Sequence, residues 1–536
     1  MKEFQALFNN NYPHSIIANG KNNILYIDLY QYADRLRTAM HNIGITFQSK
    51  IMVVSQSSIE WILCDIASIK AGFITIPTFA DLSQDTIRFQ IEDCQPDYLI
   101  VENEDTLQHI QSSTEYKFKK ILSMEEGVVD SIWNLINNTK NNESCTMNTS
   151  IEQSSIATII YTSGTSGNPK GVMLSYSNLA HQLSDISSLY PDITNKHRSI
   201  AFLPFAHIFQ RTIIYFYLSR GVNIHIVNDV SNILSNIKSI QPHLITIVPR
   251  VLEKIYARIK SQISSKPSII KKLFLPMLEY SSNKIITNKL LYKIFDILLF
   301  KKVQPIFGKE IKLLVCGGAK LNPNEEIFFY NANIPVLQGY GMTECSPVIA
   351  SNTSVHHKIF TVGKPLPSIE VQIAQNGEIC IRGGSVFIGY YGQDNRDTSS
   401  FFHTGDIGSL DEKNFLTVTG RLKEQFKNSN GKYINPIKIE SLLNEIDSIQ
   451  NACIVAEGRP FTIAILFTQI NDVNVIQKEI DEVNKHLDHH EKIQYFHISN
   501  ELPSVANNII TPSMKIRREN IVVKFHSVIE NIYSNR

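Results

Sequence analysis

The chain has 536 residues, 51 Lys and Arg against 50 Asp and Glu for a net charge of +1, with 19% charged and 43% hydrophobic residues. That length holds three to four units of ~150 residues and excludes a small binding module, while near-neutrality leaves no field to gather nucleic acid across the surface. No apolar run reaches the ~18 residues of a membrane-spanning helix, and the first residues, MKEFQALFNNNYPHSI, lack the apolar core of a secretory signal, so a cytoplasmic location is expected.

In chain order, LYQYADRLRTAMHNIGI (29–45) reads as a helix, IMVVSQ (51–56) as a strand, EWILCDIASIKAG (60–72) as a helix and FITIPTF (73–79) as a short apolar strand. Further strand-like runs follow at DYLIVE (97–102), IATIIYT (156–162), HLITIVP (243–249), KLLVCGG (312–318) and IPVLQGY (334–340), with helical stretches between them. Such alternation predicts α/β layers around a parallel sheet. The Asn-, Ser- and Thr-rich stretch 134–155 reads as an exposed subdomain joint. Residues 268–302 combine seven lysines and two acids with bulky apolar residues. That composition suits a helix on a membrane surface or, more commonly, a partly buried helical pair with snorkelling lysines. From about 360 the pattern becomes antiparallel, and the Asn-Gly pair at 376–377 in IEVQIAQNGEICIRG marks a hairpin. From 421 come a helix at about 436, the strands ACIVAEG and FTIAILF, and helices near 471–486 and 515–533. The expected fold is therefore α/β. A large N-terminal domain, 1–420, has parallel sheets and a small β unit at about 360–420, and a small, mobile α+β domain follows over 421–536. The seven cysteines are scattered, without a C-x-x-C pair, and are expected to be reduced and mostly packed.

The segment Tyr161 to Gly171, YTSGTSGNPKG, carries the chemistry. Five hydroxyl residues, three glycines and a lysine in eleven positions after an apolar strand can wrap an anion with backbone N–H groups, hydroxyl donors and one positive charge. The order differs from the G-x-x-x-x-G-K-[ST] loop of common ATPases and GTPases.

YTSGTSGNPKGV closely resembles the signature of the adenylate-forming superfamily of acyl-CoA synthetases, luciferases and nonribosomal-peptide adenylation domains. Other motifs follow in that family's order: LPFAHIFQR (203–211), GGA (317–319), QGYGMTE (338–344), HTGD (403–406), GRLKEQFKNSNGKYINPIKIE (420–440) and TPSMKIRR (511–518). LPFAHIFQR, VPRVLEKIYARI (248–259), EGRPFTIAIL (457–466) and the TPSMK ending look most like bacterial long-chain fatty-acid-CoA ligases.

The resemblance implies an ATP-dependent reaction with Mg²⁺, in which a fatty carboxylate becomes acyl-AMP and is then captured by coenzyme A. Thr162, Ser163, Gly164, Thr165, Ser166, Gly167 and Lys170 match the loop around the β- and γ-phosphates. Glu344 matches the Mg²⁺-binding acid and Thr343 the hydroxyl on the α-phosphate. Tyr340 matches the ring on adenine, within the nucleotide-binding run Gln338, Gly339, Tyr340 and Gly341; Gly318 and Ala319 match the backbone edge against its other face. Asp406 and Arg421 match the ribose contacts. Lys515 matches the lysine that bridges carboxylate and α-phosphate, with Met514 standing where most relatives have Gly. Glu424 matches a hinge acid, and His207, Arg211 and Gly317 match the acyl pocket, with Phe209, Gln210 and Arg211 where relatives place an aromatic gate. KNSNG at 427–431 replaces a double glycine near the pantetheine tunnel. Two alternatives stand beside the CoA ligase: an acyl-AMP ligase or acyl-carrier-protein loader, and a non-catalytic nucleotide-binding relative. The partners expected are fatty acid, ATP and coenzyme A, no nucleic acid, and transient peripheral contact at the inner membrane face.

Overall fold

The computed structural model describes residues 4, 11–20, 22–139, 151–162, 169–229, 232–422, 426–429, 432–446, 448–504, 507–510 and 516–534. It divides into two compact units, one comprising Met1–Gln372, Cys380–Phe402 and Leu410–Thr417, the other Ile373–Ile379, His403–Ser409 and Val418–Arg536.

Two large sheets organise the first unit. In one, Val336–Gly341, Leu313–Cys316, Leu244–Ile247, Arg198–Ala201, Asn223–Ile226 and Ile16–Asn19 lie side by side and parallel. Antiparallel strands close both edges, Val348–Ser351 then Lys364–Pro365 on one side and Asn22–Leu25 on the other. Inner strands such as LITI and LLVC are apolar almost throughout, as strands covered on both faces must be. The second sheet runs Gly389–Tyr390, Lys170–Ser175, Ile156–Thr162, Ile74–Thr78, Lys50–Val54, Tyr98–Val101 and Lys120–Ser123. Its last five strands are parallel, whereas Lys170–Ser175 turns back antiparallel on Ile156–Thr162. The stretch of sequence between these two strands is shorter than the dozen or more residues of a parallel crossover, in keeping with their antiparallel pairing. Both predicted helices of the 29–72 region form, as Tyr26–Asn42 and Ile59–Ala71. The expected joint at 134–155 begins inside the helix Ile132–Asn138, and its residues 140–150 lie outside the described ones.

Helix Ile208–Arg220 shows how local sequence sets its limits. His207 Nδ1 accepts the Phe209 N–H at the start, and Gly221 ends it at φ 68°, where a side chain would also strike the Tyr12 ring at 2.3 Å.

In the second unit, Thr462–Phe467 pairs antiparallel with Asn451–Val455 and parallel with Ile493–Ser499. Alternate residues point to opposite faces, so Ile454, Ala464 and Leu466 meet the helices Pro436–Asn444 and Val473–Asn484, while Cys453, Ile463 and Ile465 meet Ile521 and Ile529. The expected last helix is two, Arg518–Lys524 and His526–Ser534. The Asn-Gly hairpin forms as expected: Gly377, at φ 81°, donates to the Ala374 carbonyl at 2.9 Å. Among the described residues, six cysteines are free and buried. No described helix is long and apolar enough to cross a membrane.

Candidate functional site

The hairpin that carries the motif sets Thr162 directly opposite Lys170. Ser163, Gly164, Thr165, Ser166 and Gly167 lie outside the described residues, but both anchors of the loop are placed. The Lys170 ammonium sits 5.0 Å from the ring centre of Tyr390, whose hydroxyl donates to Glu344 Oε1 at 2.9 Å. Burial, then the Glu344 carboxylate, pushes the Tyr390 phenol well above its ordinary pKa, so it remains a donor. Glu344 is buried in the short turn Thr343–Cys345, which is pinned where its carbonyl accepts the Phe387 N–H at 2.8 Å. Thr343 beside it is half-buried. A lysine, a phenol and a carboxylate from three separate segments thus form one string at the mouth of the motif hairpin.

A cavity of about 70 Å³ lies at the ends of Leu313–Cys316 and Val336–Gly341. Gly317, Gly318, Gly339, Tyr340 and Gly341 form one wall; His207, Phe209 and Ile213, from the start of helix Ile208–Arg220, form another. Gly318 has φ 87°, and a Cβ on Gly317 would lie 3.0 Å from the tip of the Phe209 ring, so the aromatic comes close against bare backbone. Gln338, on the same strand, is buried and accepts the Asn352 N–H on its carbonyl. Ala319 is exposed and is not part of the cavity wall. Of the three candidate gate residues, Phe209 alone lines the cavity.

Arg211, expected at the acyl pocket, does not line this cavity. Its side chain is wholly buried, ion-paired with Asp65, and it donates to Tyr215 Oη at 2.7 Å, Thr158 Oγ1 at 2.8 Å and Thr75 Oγ1 at 2.8 Å. Position 211 follows the cavity residue Phe209 by two, about 200° round the helix, and its guanidinium reaches Thr75 and Thr158 of the seven-stranded sheet. Asp65 carried a signal for this partner: an acid amid the apolar helix EWILCDIASIKA needs a buried cation.

In the second unit, Asp406 is buried on the strand Phe402–Leu410 and accepts Arg421 Nε at 2.9 Å, so the two residues expected to meet ribose meet each other. Before it, Gly405 turns at φ 73° and its N–H donates to Glu378 Oε1 at 2.9 Å. Glu378 also contacts His403 Nδ1 at 2.8 Å. Burial raises the Glu378 pKa, but the hydrogen bonds from His403 and Gly405 outweigh it and the net shift is downward. Glu424 and Lys515 lie outside the described residues.

The family model for AMP-binding enzymes matches residues 5–391, and the model for the AMP-binding enzyme C-terminal domain matches 423–536. The chain belongs to the AMP-binding enzyme family. Among curated relatives of this AMP-binding enzyme, the long-chain-fatty-acid–CoA ligase FadD15 of Mycobacterium tuberculosis is 28% identical over 547 residues, covering 94% of this chain and 91% of that protein. Fatty acyl-CoA synthetase B of Dictyostelium discoideum is 26% identical over 576 residues, covering 95% and 85%. ATP-bound MatB from Rhodopseudomonas palustris shares the fold with a TM-score of 0.77 at 18% identity, covering 98% of this chain and 99% of that one. The o-succinylbenzoate CoA synthetase MenE of Bacillus subtilis, solved with ATP and magnesium ion, has a TM-score of 0.73 at 20% identity, covering 96% and 98%.

The residues present fit the groups that this family uses. Side-chain-free backbone at Gly317 and Gly318 facing the same cavity as Tyr340 suits a flat heterocycle, and the oxygen donor of Glu344 suits a hard divalent cation. Tyr390 was not anticipated. Its signal lay in IGYYGQ, where a two-residue strand must pair with Lys170–Ser175 and so brings a phenol to the motif hairpin.

Proposed function

We propose that this AMP-binding enzyme is a fatty acid–CoA ligase that activates a medium- or long-chain carboxylate as acyl-AMP and then transfers the acyl group to coenzyme A. The observation that carries this reading is the shared cavity, in which Phe209, Ile213, Leu366 and other apolar side chains face the bare glycine backbone beside Tyr340. A fatty chain offers only methylenes to grip, each worth about 0.8 kcal/mol when buried, so an apolar wall adjoining a nucleotide slot is what the reaction requires.

In the first half-reaction a carboxylate oxygen attacks the α-phosphorus of ATP; a P–O bond forms, and the bond to the leaving pyrophosphate breaks. The acid is already ionised near neutrality, so no base is needed and exposed His207 is a wall residue. Thr343 donates to the α-phosphate, Lys515 bridges it to the carboxylate, and Thr162 to Gly167 with Lys170 hold the outer phosphates, placing donors where negative charge builds. Mg²⁺ held by Glu344 supplies charge neutralisation at the phosphates. Asp406 and Arg421 take the ribose. In the second half-reaction the sulfur of coenzyme A attacks the acyl carbonyl, the bond to AMP breaks, and the thiol proton passes to solvent. Residues 421–536 act as a lid, pivoting at Glu424 between the two half-reactions. Its fatty substrate partitions into lipid, so transient membrane contact is part of this reading.

KNSNG at 427–431 favours a second reading, transfer to a carrier-protein thiol. Incubation with ATP, Mg²⁺ and a mixture of C8–C18 fatty acids, with and without coenzyme A, separates the two by mass spectrometry. Acyl-CoA formed only when coenzyme A is present is expected. Acyl-AMP accumulating without thioester would transfer the assignment to a carrier-protein loader, and neither product would sink both.

A further inference from the structure

Residues 268–302 fold as the helix Ser268–Asn283, the helix Lys289–Phe295 and the wide turn Asp296–Phe300. One side of this pair is core: Met277, Leu278, Phe295, Leu299 and Phe300 pack with the strands of the nine-stranded sheet. The other side is exposed yet apolar. On the first helix Ile269 is 85% exposed, with Leu273 and Tyr280 also exposed one and three turns on. On the second, Leu290 is 71% exposed, with Ile294 and Ile297 following at the spacing of a single helical face. The two helices lie side by side, because the Tyr280 and Phe295 rings are 5.7 Å apart and Lys302 Nζ sits 4.6 Å above the Phe274 ring. All seven lysines of the segment are exposed, against two acids, Glu279 and Asp296, the latter 3.8 Å from Lys301.

We propose that this face docks on an anionic lipid bilayer, with its two apolar stripes at the headgroup–acyl boundary and its lysines at the lipid phosphates. The proposal rests on the fatty acid–CoA ligase reading only for its purpose, delivery of substrate from lipid. The charge pattern selects the occupant. A second copy of the chain would set one lysine-rich face against another, which repels, and a protein partner would need an acid placed for each ammonium. A bilayer offers a continuous anionic plane over an apolar interior, and lysine stems reach the plane while lying along the apolar stripes.

The test uses the full chain and sedimentation with vesicles of phosphatidylcholine, either alone or with about 30% phosphatidylglycerol. Binding to the anionic vesicles should exceed binding to the zwitterionic ones at least about tenfold and should fall as salt rises. Lys271→Glu with Lys272→Glu and Lys293→Glu should weaken it by at least about fivefold per residue. Ile269→Ser with Leu290→Ser should remove it while the melting temperature stays unchanged. Acyl-CoA formation, measured with the shortest fatty acid turned over and below its micelle concentration, should not change in any variant. No vesicle binding by the wild type, or equal binding by wild type and variants, would overturn the proposal. So would a concentration-dependent dimer that the serine variant abolishes. Ligation without vesicle binding would remove the surface alone; vesicle binding without ligation would remove the ligase reading alone.

Discussion

Lys515, Tyr390 and Arg211 each make a different prediction. If Lys515 bridges the carboxylate and the α-phosphate, Lys515→Ala should abolish adenylate formation yet still convert supplied acyl-AMP to thioester. Equal loss of both half-reactions would refute that role, and Glu424→Pro should show the reverse pattern. Tyr390 holds Glu344 through its hydroxyl, so Tyr390→Phe should raise the magnesium requirement of adenylation by about 10–100-fold, the usual effect of losing a partner of a metal-binding group. The KM for fatty acid should stay the same; a change in that constant alone would place Tyr390 elsewhere. Arg211 lies deepest. Arg211→Ala leaves the Asp65 carboxylate buried without its cation and should cost about 3–5 kcal/mol in urea unfolding, whereas Arg211→Met combined with Asp65→Leu should recover most of it. These residues differ in how visible they were. The hydroxyl- and glycine-rich motif stands out by composition, while Arg211 was expected in the pocket because it stands where relatives place an aromatic gate, four residues beyond His207. Two residues on from Phe209, about 200° round the helix, it points into another layer of the molecule.

Among the elements, the strand Val336–Gly341 is tightly constrained at its end. A Cβ on Gly341 would lie 2.0 Å from the Pro347 carbonyl oxygen, whereas one on Gly339 would meet the Ala350 carbonyl at an ordinary 3.5 Å. Gly341→Ala should therefore destabilise by about 1–3 kcal/mol and Gly339→Ala by much less, read as a difference in melting temperature. At the opposite ends of the parallel strands, His197 and His243 stack edge to face with ring centres 5.2 Å apart. His197 Nδ1 accepts the Thr194 N–H, and His243 Nδ1 accepts the Arg198 N–H. Burial lowers both pKa values, helped by Lys312 at His197 and by Arg198 at His243. In the unfolded chain these rings take protons first as pH falls through about 6.5, so their contribution is complete above that pH and is lost below it as the folded values are reached. The melting temperature should drop between pH 7 and 5, and His243→Gln should flatten that drop. Helix and strand periodicity made most of these elements legible. The direction of Lys170–Ser175 was less so, because orientation within a sheet depends on connection length and not on the strand's own pattern.

At the scale of the molecule, two units with separate cores shape how the chain unfolds. The second unit buries its three-stranded sheet between two pairs of helices, with both faces of Asn451–Val455 and Thr462–Phe467 inside its own clusters. Calorimetry should accordingly resolve more than one transition, and a single two-state peak would contradict independent cooperativity. By itself the sequence determined the α/β class, the family and most of the expected ligands, since periodicity, turn residues and short ordered motifs are local properties of a chain. Tertiary structure decided what depends on distant segments meeting. It drew Tyr390 to Lys170 and Glu344, set Phe209 against Gly317, and withdrew Arg211 to Asp65. It also turned the apolar stripes of 268–302 outward. Which face of a helix is buried depends on the neighbours it packs against, and no helix carries that information alone.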